Sequence, residues 1–329
     1  MRVKYDTDTQ LLFQIGDPLD HACACYIHNR MYELANLNAV NLNVVVKKGE
    51  LPEFIASCKQ LGVKGFDITM PHKTDVIPLC DEVEEFSREF ACVNHVKIRD
   101  GKLIGVGLDG MGMAMAIESA GVPLEGARVL MLGAGAVSGP IAAELCKRGA
   151  KRVVILNRTT AKAESIAASL KKYFPQLEAE AAEMTPENMC KFAPETDVVV
   201  QCTSLGMSGH EGDYEDLSFV DLLPATASVA DVIFNPERTS LLKKAEERGL
   251  LVLNGMGMLV NQEKAMMKFH FDIDMGDEFA PEGEEALLIA LAMRQLRTKR
   301  LNEKKEKDNG FWEYEVLLSD GSKVEINEK

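Results

Sequence analysis

Apolar positions along the chain switch repeatedly between short continuous runs and helical spacing. LLFQI from Leu11, NVVVK from Asn43 and GFDIT from Gly65 are strand-like runs. Helical spacing occupies 26–36 and the stretch from Leu51, where Pro52 suits a first helical turn. VNHVKI and KLIGV flank Asp100-Gly101, the pattern of a β-hairpin. A second block begins near 128: RVLML, a glycine turn and the helical IAAELCKR, then RVVIL and a helix from Thr160 bearing Ile166, Leu170 and Tyr173. DVVVQ, SVADVIF and LLVLN predict three more strands, with TSLLKKAEERG a helix between the last two, and helix continues from Leu259 to about Lys299. This alternation predicts an α/β protein with mostly parallel sheets covered by helices on both faces.

From 300 the character changes. RLNEKKEKDNG is charged and linker-like, after which Trp312, Tyr314, Val316 and Leu318 alternate, Asp320-Gly321 supplies a turn, and Val324 and Ile326 resume. A terminal β-hairpin is expected there, as a packing appendage or an oligomer contact. The length of 329 residues suits about two domains, and 46% hydrophobic with 27% charged residues is ordinary for a globular chain. A net charge of −14 repels phosphate backbones and anionic lipid, so nucleic-acid and membrane partners are not expected. No apolar run approaches the roughly 18 residues of a membrane span. The opening MRVKYDTDTQ lacks the apolar segment of a signal peptide, and eight scattered cysteines read as reduced thiols in a cytoplasm. The expected partner is a small molecule, and the chain a monomer or homodimer.

Gly133-Ala134-Gly135 follows the RVLML strand and, with Ala136 and Val137, leads into an apolar helix. This is the context of a dinucleotide-binding turn: one glycine permits the tight strand-to-helix turn, the next lets backbone amides approach a pyrophosphate at the helix N-terminus. The third small position is Ser138. A carboxylate about 20 residues further on would hydrogen-bond a ribose 2′-hydroxyl. Here RVVIL runs instead into Asn157-Arg158-Thr159, with Lys162 a turn later. A guanidinium fork with a nearby ammonium is the chemistry of a 2′-phosphate, which points to NADP; the competing reading is a solvated basic helix start.

GFDITMPHK near 65, GVGLDGMGM near 105, QCTSLGM from Gln201 and NGMGMLVNQ from Asn254 stand in order around this turn. Over roughly 11–272 the chain resembles the shikimate dehydrogenase family. The resemblance implies an N-terminal α/β substrate domain (1–109) completed by C-terminal helices (256–299), a Rossmann-type doubly wound NADP-binding domain (110–255), and the appendage 300–329. It makes Lys73 and Asp109 the catalytic pair. Oxidising a secondary alcohol needs hydride departure to a nicotinamide and removal of the hydroxyl proton; a lysine can take that proton while an aspartate orients the hydroxyl. Free lysine titrates near 10.4, so the base role requires a lowered pKa or a proton shared within the pair. Thr69, Asn94 and Gln262 match substrate-contacting residues, while Thr203, Ser204 and Gly255 match loops that face the cofactor.

The chain departs from the family at one end of the pocket. Ala22 and Ala24 replace a serine pair that grips a ring carboxylate, Gly107-Leu108 replaces Asn-Thr before the aspartate, and Phe234 replaces a tyrosine. Asp20 adjoins the altered place and would repel an anion. Either the ligand has no carboxylate, or backbone amides or His21 take it over. His21, Cys23, Cys25 and His28 are possible zinc ligands, but on a helix 21, 25 and 28 share a face and 23 does not, so no metal is expected. The expected activity is NADP-dependent interconversion of a ring secondary alcohol and its ketone. 3-Dehydroshikimate and shikimate are the default pair, and quinate or another cyclic polyol the runner-up. A catalytically silent NADP-binding sensor is the rival of another class, and the intact Lys73 and Asp109 favour the enzyme.

Overall fold

A computed structural model describes residues 5–19, 22–303, 312–317 and 323–328, with side chains through 293. The expectations for Asp20, His21, Leu318, Asp320 and Gly321 lie outside the described residues. The first sheet contains β1 (Gln10–Gly16), β2 (Ala39–Val45), β3 (Gly65–Ile68), β4 (Glu82–Val83), β5 (His95–Arg99) and β6 (Lys102–Val106), in spatial order β2-β1-β3-β5-β6-β4. The first three strands run parallel. β5 and β6 form the expected antiparallel hairpin, whose central residues Asp100 (φ 52) and Gly101 (φ 77) both occupy the left-handed region, as such a two-residue turn demands. Helices α1 (Ala24–Leu34), α2 (Leu51–Leu61), α3 (His72–Asp75) and α4 (Glu85–Glu89) connect these strands.

The two faces of this sheet bury different partners. Ile15, Phe66, Ile68, Val96 and Leu103 pack with Leu51, Ile55 and Cys58 of α2. On the opposite face Leu12 joins Ile27, Met31 and Tyr32 of α1 and a set of residues from the far end of the chain, Met256, Val260, Met266, Met267 and Leu287. Those belong to α10 (Gly255–Phe271) and α11 (Ala280–Glu303). The chain thus returns to its beginning to close the first core.

Between them, α5 (Asp109–Ser119) leads to the second sheet: β7 (Arg128–Leu132), α6 (Ser138–Lys147), β8 (Arg152–Asn157), α7 (Thr160–Tyr173), β9 (Glu178–Glu183), α8 (Pro186–Phe192), β10 (Val198–Gln201), β11 (Ser228–Asp231), α9 (Ser240–Glu247) and β12 (Leu251–Leu253). All six strands are parallel, in order β12-β11-β10-β7-β8-β9, the doubly wound arrangement. Alternate residues feed two cores: Val129, Met131, Val153, Ile155, Val198 and Val200 on one face, Leu130, Leu132, Val154, Leu156 and Val199 on the other. This two-sided burial explains the unbroken apolar runs in the sequence.

The expected C-terminal helices are α10 and α11, parted where Asp272 turns left-handed (φ 60) and ends α10. Two details differ from expectation. α11 continues through Glu303, into the segment read as linker. EAEAAE forms β9, missed because an edge strand can alternate alanine with glutamate instead of carrying an apolar run. The terminal hairpin forms as β13 (Trp312–Leu317) against β14 (Lys323–Glu328), pairing Tyr314 with Ile326 and Val316 with Val324. Among the described residues no helix is long and apolar enough to cross a membrane.

Candidate active site

Lys73 sits on the single turn α3 that follows β3, with its backbone carbonyl accepting from Val93 N (3.1 Å) and the neighbouring His72 ring fixed to Val46 O (2.7 Å). Asp109 is the first residue of α5, where unpaired helix N–H groups favour a carboxylate. The two meet at 2.7 Å between Lys73 Nζ and Asp109 Oδ2, with side chains 23% and 8% exposed. Asn94 Nδ2 donates to Asp109 Oδ1 (2.9 Å), and Asn94 Oδ1 accepts from Leu108 N (2.8 Å), so the amide can face only one way. Cys92, which the sequence did not single out, donates its thiol to Asp109 Oδ2 at 3.7 Å. Burial pushes that thiol up to about 12, so it stays protonated. Burial also draws the Lys73 ammonium down, but the charge of Asp109 and its hydrogen bond outweigh it and hold Lys73 above its ordinary value. Of the two routes open to a lysine base, a lowered pKa or a shared proton, the geometry has the second.

Gln262, on α10, lies with its Nε2 3.3 Å from His95 Nε2, and its Oε1 is buried without a partner. Thr69, at the end of β3, is half-buried and packs its methyl group against Gly16. Ala22 and Ala24 stand half-buried at the start of α1. Phe234 packs into the cluster that includes Cys23, Ile27, Met256 and Val260, bringing the loop after β11 to the head of α1.

Beneath this region lies a buried ionic network. His28 Nε2 meets Glu263 Oε2 at 2.5 Å, and its Nδ1 lies 2.9 Å from Asn41 Nδ2 and 3.5 Å from Asp67 Oδ1. Burial opposes charge on His28, but Glu263 and Asp67 overcome it and raise the imidazole to about 9. Burial raises Asp67 to about 6 against the pull of His28 and Asn41. His270 falls to about 3, from burial and then the charges of His28 and Lys97. His95 falls well below its ordinary value, from burial and then His270, His28 and Lys73. His28 is therefore engaged by a carboxylate and an amide. The one signal in the sequence was NQEK, a polar run inside an apolar helix.

On the cofactor side Gly133 adopts φ 109, and a side chain there would fall 2.7 Å from Thr203 Cγ2 and 2.9 Å from Cys202 O. Ala134 N donates to Asn157 Oδ1 (3.0 Å), and Asn157 Nδ2 donates to Thr159 O (2.9 Å). Asn157 therefore shapes the glycine turn rather than reaching outward. Gly135 and Ala136 are exposed, and half-buried Val137 caps α6. Arg158, Thr159 and Lys162 are exposed at the head of α7, with no ion pair to Arg158 or Lys162 among the described residues. Thr203 Oγ1 accepts from Leu205 N (3.1 Å), and Ser204 is exposed beside it. Gly255 approaches the Val232 carbonyl so closely that any side chain would collide. A glycine turn with open amides, a helix N-terminus and an unpaired guanidinium fit a dinucleotide bearing an extra phosphate.

The two halves meet through α5. A side chain at Gly110 would strike the Pro140 carbonyl of α6, and one at Gly112 would lie 2.9 Å from Gln262 N on α10. Asp109 is thus carried by the helix that also locates the glycine turn and Gln262.

Comparison with known proteins agrees with this arrangement. The profile "Shikimate dehydrogenase substrate binding domain" matches residues 14–96, and "Shikimate / quinate 5-dehydrogenase" matches 115–207. A shikimate dehydrogenase (NADP(+)) of Alkaliphilus metalliredigens is 35% identical over 279 residues, 85% of this chain and 97% of that one. Among solved structures, the ligand-free 5-ketofructose reductase of Gluconobacter sp. strain CHM43 is 30% identical with a TM-score of 0.76, covering 85% of this chain and 99% of that one. Shikimate 5-dehydrogenase from Listeria monocytogenes, solved with shikimate and NAD, is 26% identical with a TM-score of 0.79, covering 86% and 98%. The chain belongs to the shikimate dehydrogenase family.

Proposed function

We propose that the protein is an NADP-dependent oxidoreductase that interconverts a ring-borne secondary alcohol and its ketone, with 3-dehydroshikimate and shikimate as the default pair from its family. The observation that carries this is the Lys73–Asp109 contact at 2.7 Å, with Asp109 on the helix that packs against α6, the helix opened by the dinucleotide turn. Bound NADP supplies the hydride donor or acceptor. Lys73, protonated at rest, gives its proton to the forming alkoxide during ketone reduction; in oxidation it first releases that proton to solvent, and the neutral amine then takes the hydroxyl proton. Asp109 keeps that proton within the pair, and Asn94 keeps Asp109 in place. Thr69 and Gln262 bind substrate hydroxyls. Arg158 with Thr159 and Lys162 holds the 2′-phosphate; Gly135, Ala136 and Val137 receive the pyrophosphate; Thr203, Ser204 and Gly255 border the nicotinamide end.

In this reading 1–109 with 256–299 is the substrate domain, 110–255 the cofactor domain, and 300–329 an appendage. Eight free thiols support a cytoplasmic setting. A silent sensor is disfavoured, because three donors converging on one buried carboxylate serve proton handling and nothing in nucleotide binding. The test is NADPH oxidation across a panel of cyclic ketones. Lys73→Ala and Asp109→Ala should each lower kcat by about 10² or more while NADPH still binds, with the double variant little worse than the poorer single one. Near-normal turnover in either single variant removes that residue from the mechanism.

A further inference from the structure

We infer that the substrate is an uncharged polyhydroxy ketone, or the matching polyol, and not a ring carrying a carboxylate. This rests on the dehydrogenase reading above: it keeps the hydride and proton chemistry and replaces the default substrate pair. A carboxylate drawn out of water needs a cation or at least two hydrogen-bond donors in exchange. Among the described residues, the end of the site where α1 meets Phe234 supplies neither. Its side chains are Ala22, Cys23, Ala24 and an arene that shares an apolar cluster with Cys23 and Met256.

Peptide N–H groups at the head of a helix are the usual substitute, and three of them are already engaged within the chain. Ala22 N donates to Leu19 O (3.0 Å), Tyr26 N to Cys23 O (3.1 Å), and Cys25 N to the side chain of Gln14 (Oε1, 3.3 Å). The Gln14 contact matters most, because a side-chain oxygen already takes the N–H that an anion would need.

Charge points the same way. Behind this wall two buried carboxylates, Asp67 and Glu263, face one imidazolium, His28, and burial followed by the charge of Asp67 raises the Cys25 thiol. The background is anionic, and Lys73 is bound to Asp109. What the site does offer is acceptors and hydroxyl partners: the unpartnered Oε1 of Gln262, buried to 8% exposure, and the half-buried Thr69. A substrate hydroxyl satisfies that oxygen, whereas a carboxylate repels it.

The experiment uses the full chain and NADPH, comparing kcat/KM for 3-dehydroshikimate with kcat/KM for a keto-inositol and a dicarbonyl hexose. At least one neutral ketone should exceed 3-dehydroshikimate by about a hundredfold or more, the scale of two lost hydrogen bonds to a charged group. Ala22→Ser/Ala24→Ser should shift that ratio at least tenfold toward the carboxylated ketone. Preferred turnover of 3-dehydroshikimate by the parent, or a ratio unmoved by the two serines, overturns the inference and leaves the dehydrogenase reading standing. Binding of NADPH without reduction of any ketone overturns both.

Discussion

Replacing His28 by glutamine tests the buried network through its pH dependence. His28 is 1% exposed and held between Glu263 and Asp67, which raise it from an ordinary 6.5 to about 9. Between those values the native state holds a proton that the unfolded chain has released, so stability falls as pH rises. The displacement of 2.5 units corresponds to about 3 kcal/mol, present in full below pH 6.5 and lost by pH 9. The other members of the network titrate elsewhere. Asp67, raised from 3.8 to about 6, has lost its own preference for the protonated fold by pH 6. Lys73, raised from 10.5, keeps its contribution in full across this range and loses it only above 10.5. His95 and His270 are kept neutral, so their contribution is present above 6.5 and lost as pH falls below it. Stability should therefore peak near pH 6.5 and decline on both sides. Urea unfolding followed by far-UV circular dichroism reads this directly; the single tryptophan, Trp312, lies in the terminal hairpin and would report the wrong region. His28→Gln leaves Glu263 buried without a counter-charge, costing about 3–5 kcal/mol at pH 6.5. The alkaline decline should vanish with it. A parent protein whose stability is flat from pH 6.5 to 9, or a variant that keeps the parent's decline, refutes the assignment.

Two further substitutions probe the cofactor and the seam between the halves. Arg158→Ala should raise KM for NADP by about tenfold to a hundredfold, the worth of a bidentate charge-assisted contact, and leave the much weaker use of NAD nearly unaltered; equal losses with both cofactors would assign Arg158 elsewhere. Gly110→Ala places a methyl group on the Pro140 carbonyl, so it should cost about 2 kcal/mol, lower Tm by about 5 °C and reduce kcat by displacing Asp109. An unchanged Tm would mean that α5 and α6 separate freely.

The doubly wound half was legible because its strands are buried on both faces and read as unbroken apolar runs, each followed by a glycine or a helical pattern. Lys73, Asp109 and Asn94 were legible only through the spacing of several motifs together, since a lone lysine or aspartate has no pattern of its own. The network around His28 was not legible. His28 lay in view as a possible zinc ligand, but its partners Asp67 and Glu263 come from a strand and a helix far apart in the chain, and only folding brings them together. Asn157, the last residue of β8, was read with Arg158 as part of the 2′-phosphate end, and folding adds what the sequence did not show: its amide also braces the glycine turn through Ala134 N and Thr159 O. Cys92 was passed over because a buried cysteine usually behaves as a small apolar residue.

The run Asp109-Gly110-Met111-Gly112 explains how one scaffold can change its substrate and keep its chemistry. Glycine inside a helix costs about 1 kcal/mol relative to alanine, and α5 carries two within its first four residues. Each stands where a neighbouring helix passes too close for a side chain: Gly110 against Pro140 of α6, Gly112 against Met258 and Gln262 of α10. The position of Asp109 relative to the dinucleotide turn is therefore set by backbone against backbone, which tolerates almost no variation. Ala22, Ala24 and Phe234 lie at the head of α1 and after β11, outside that contact. Substitution there alters what the pocket binds without moving Lys73, Asp109 or the glycine turn. A site end built of Ala22, Ala24 and Phe234, apart from the contacts that hold the Lys73–Asp109 pair, is the arrangement that the inferred change of substrate on the same hydride chemistry requires.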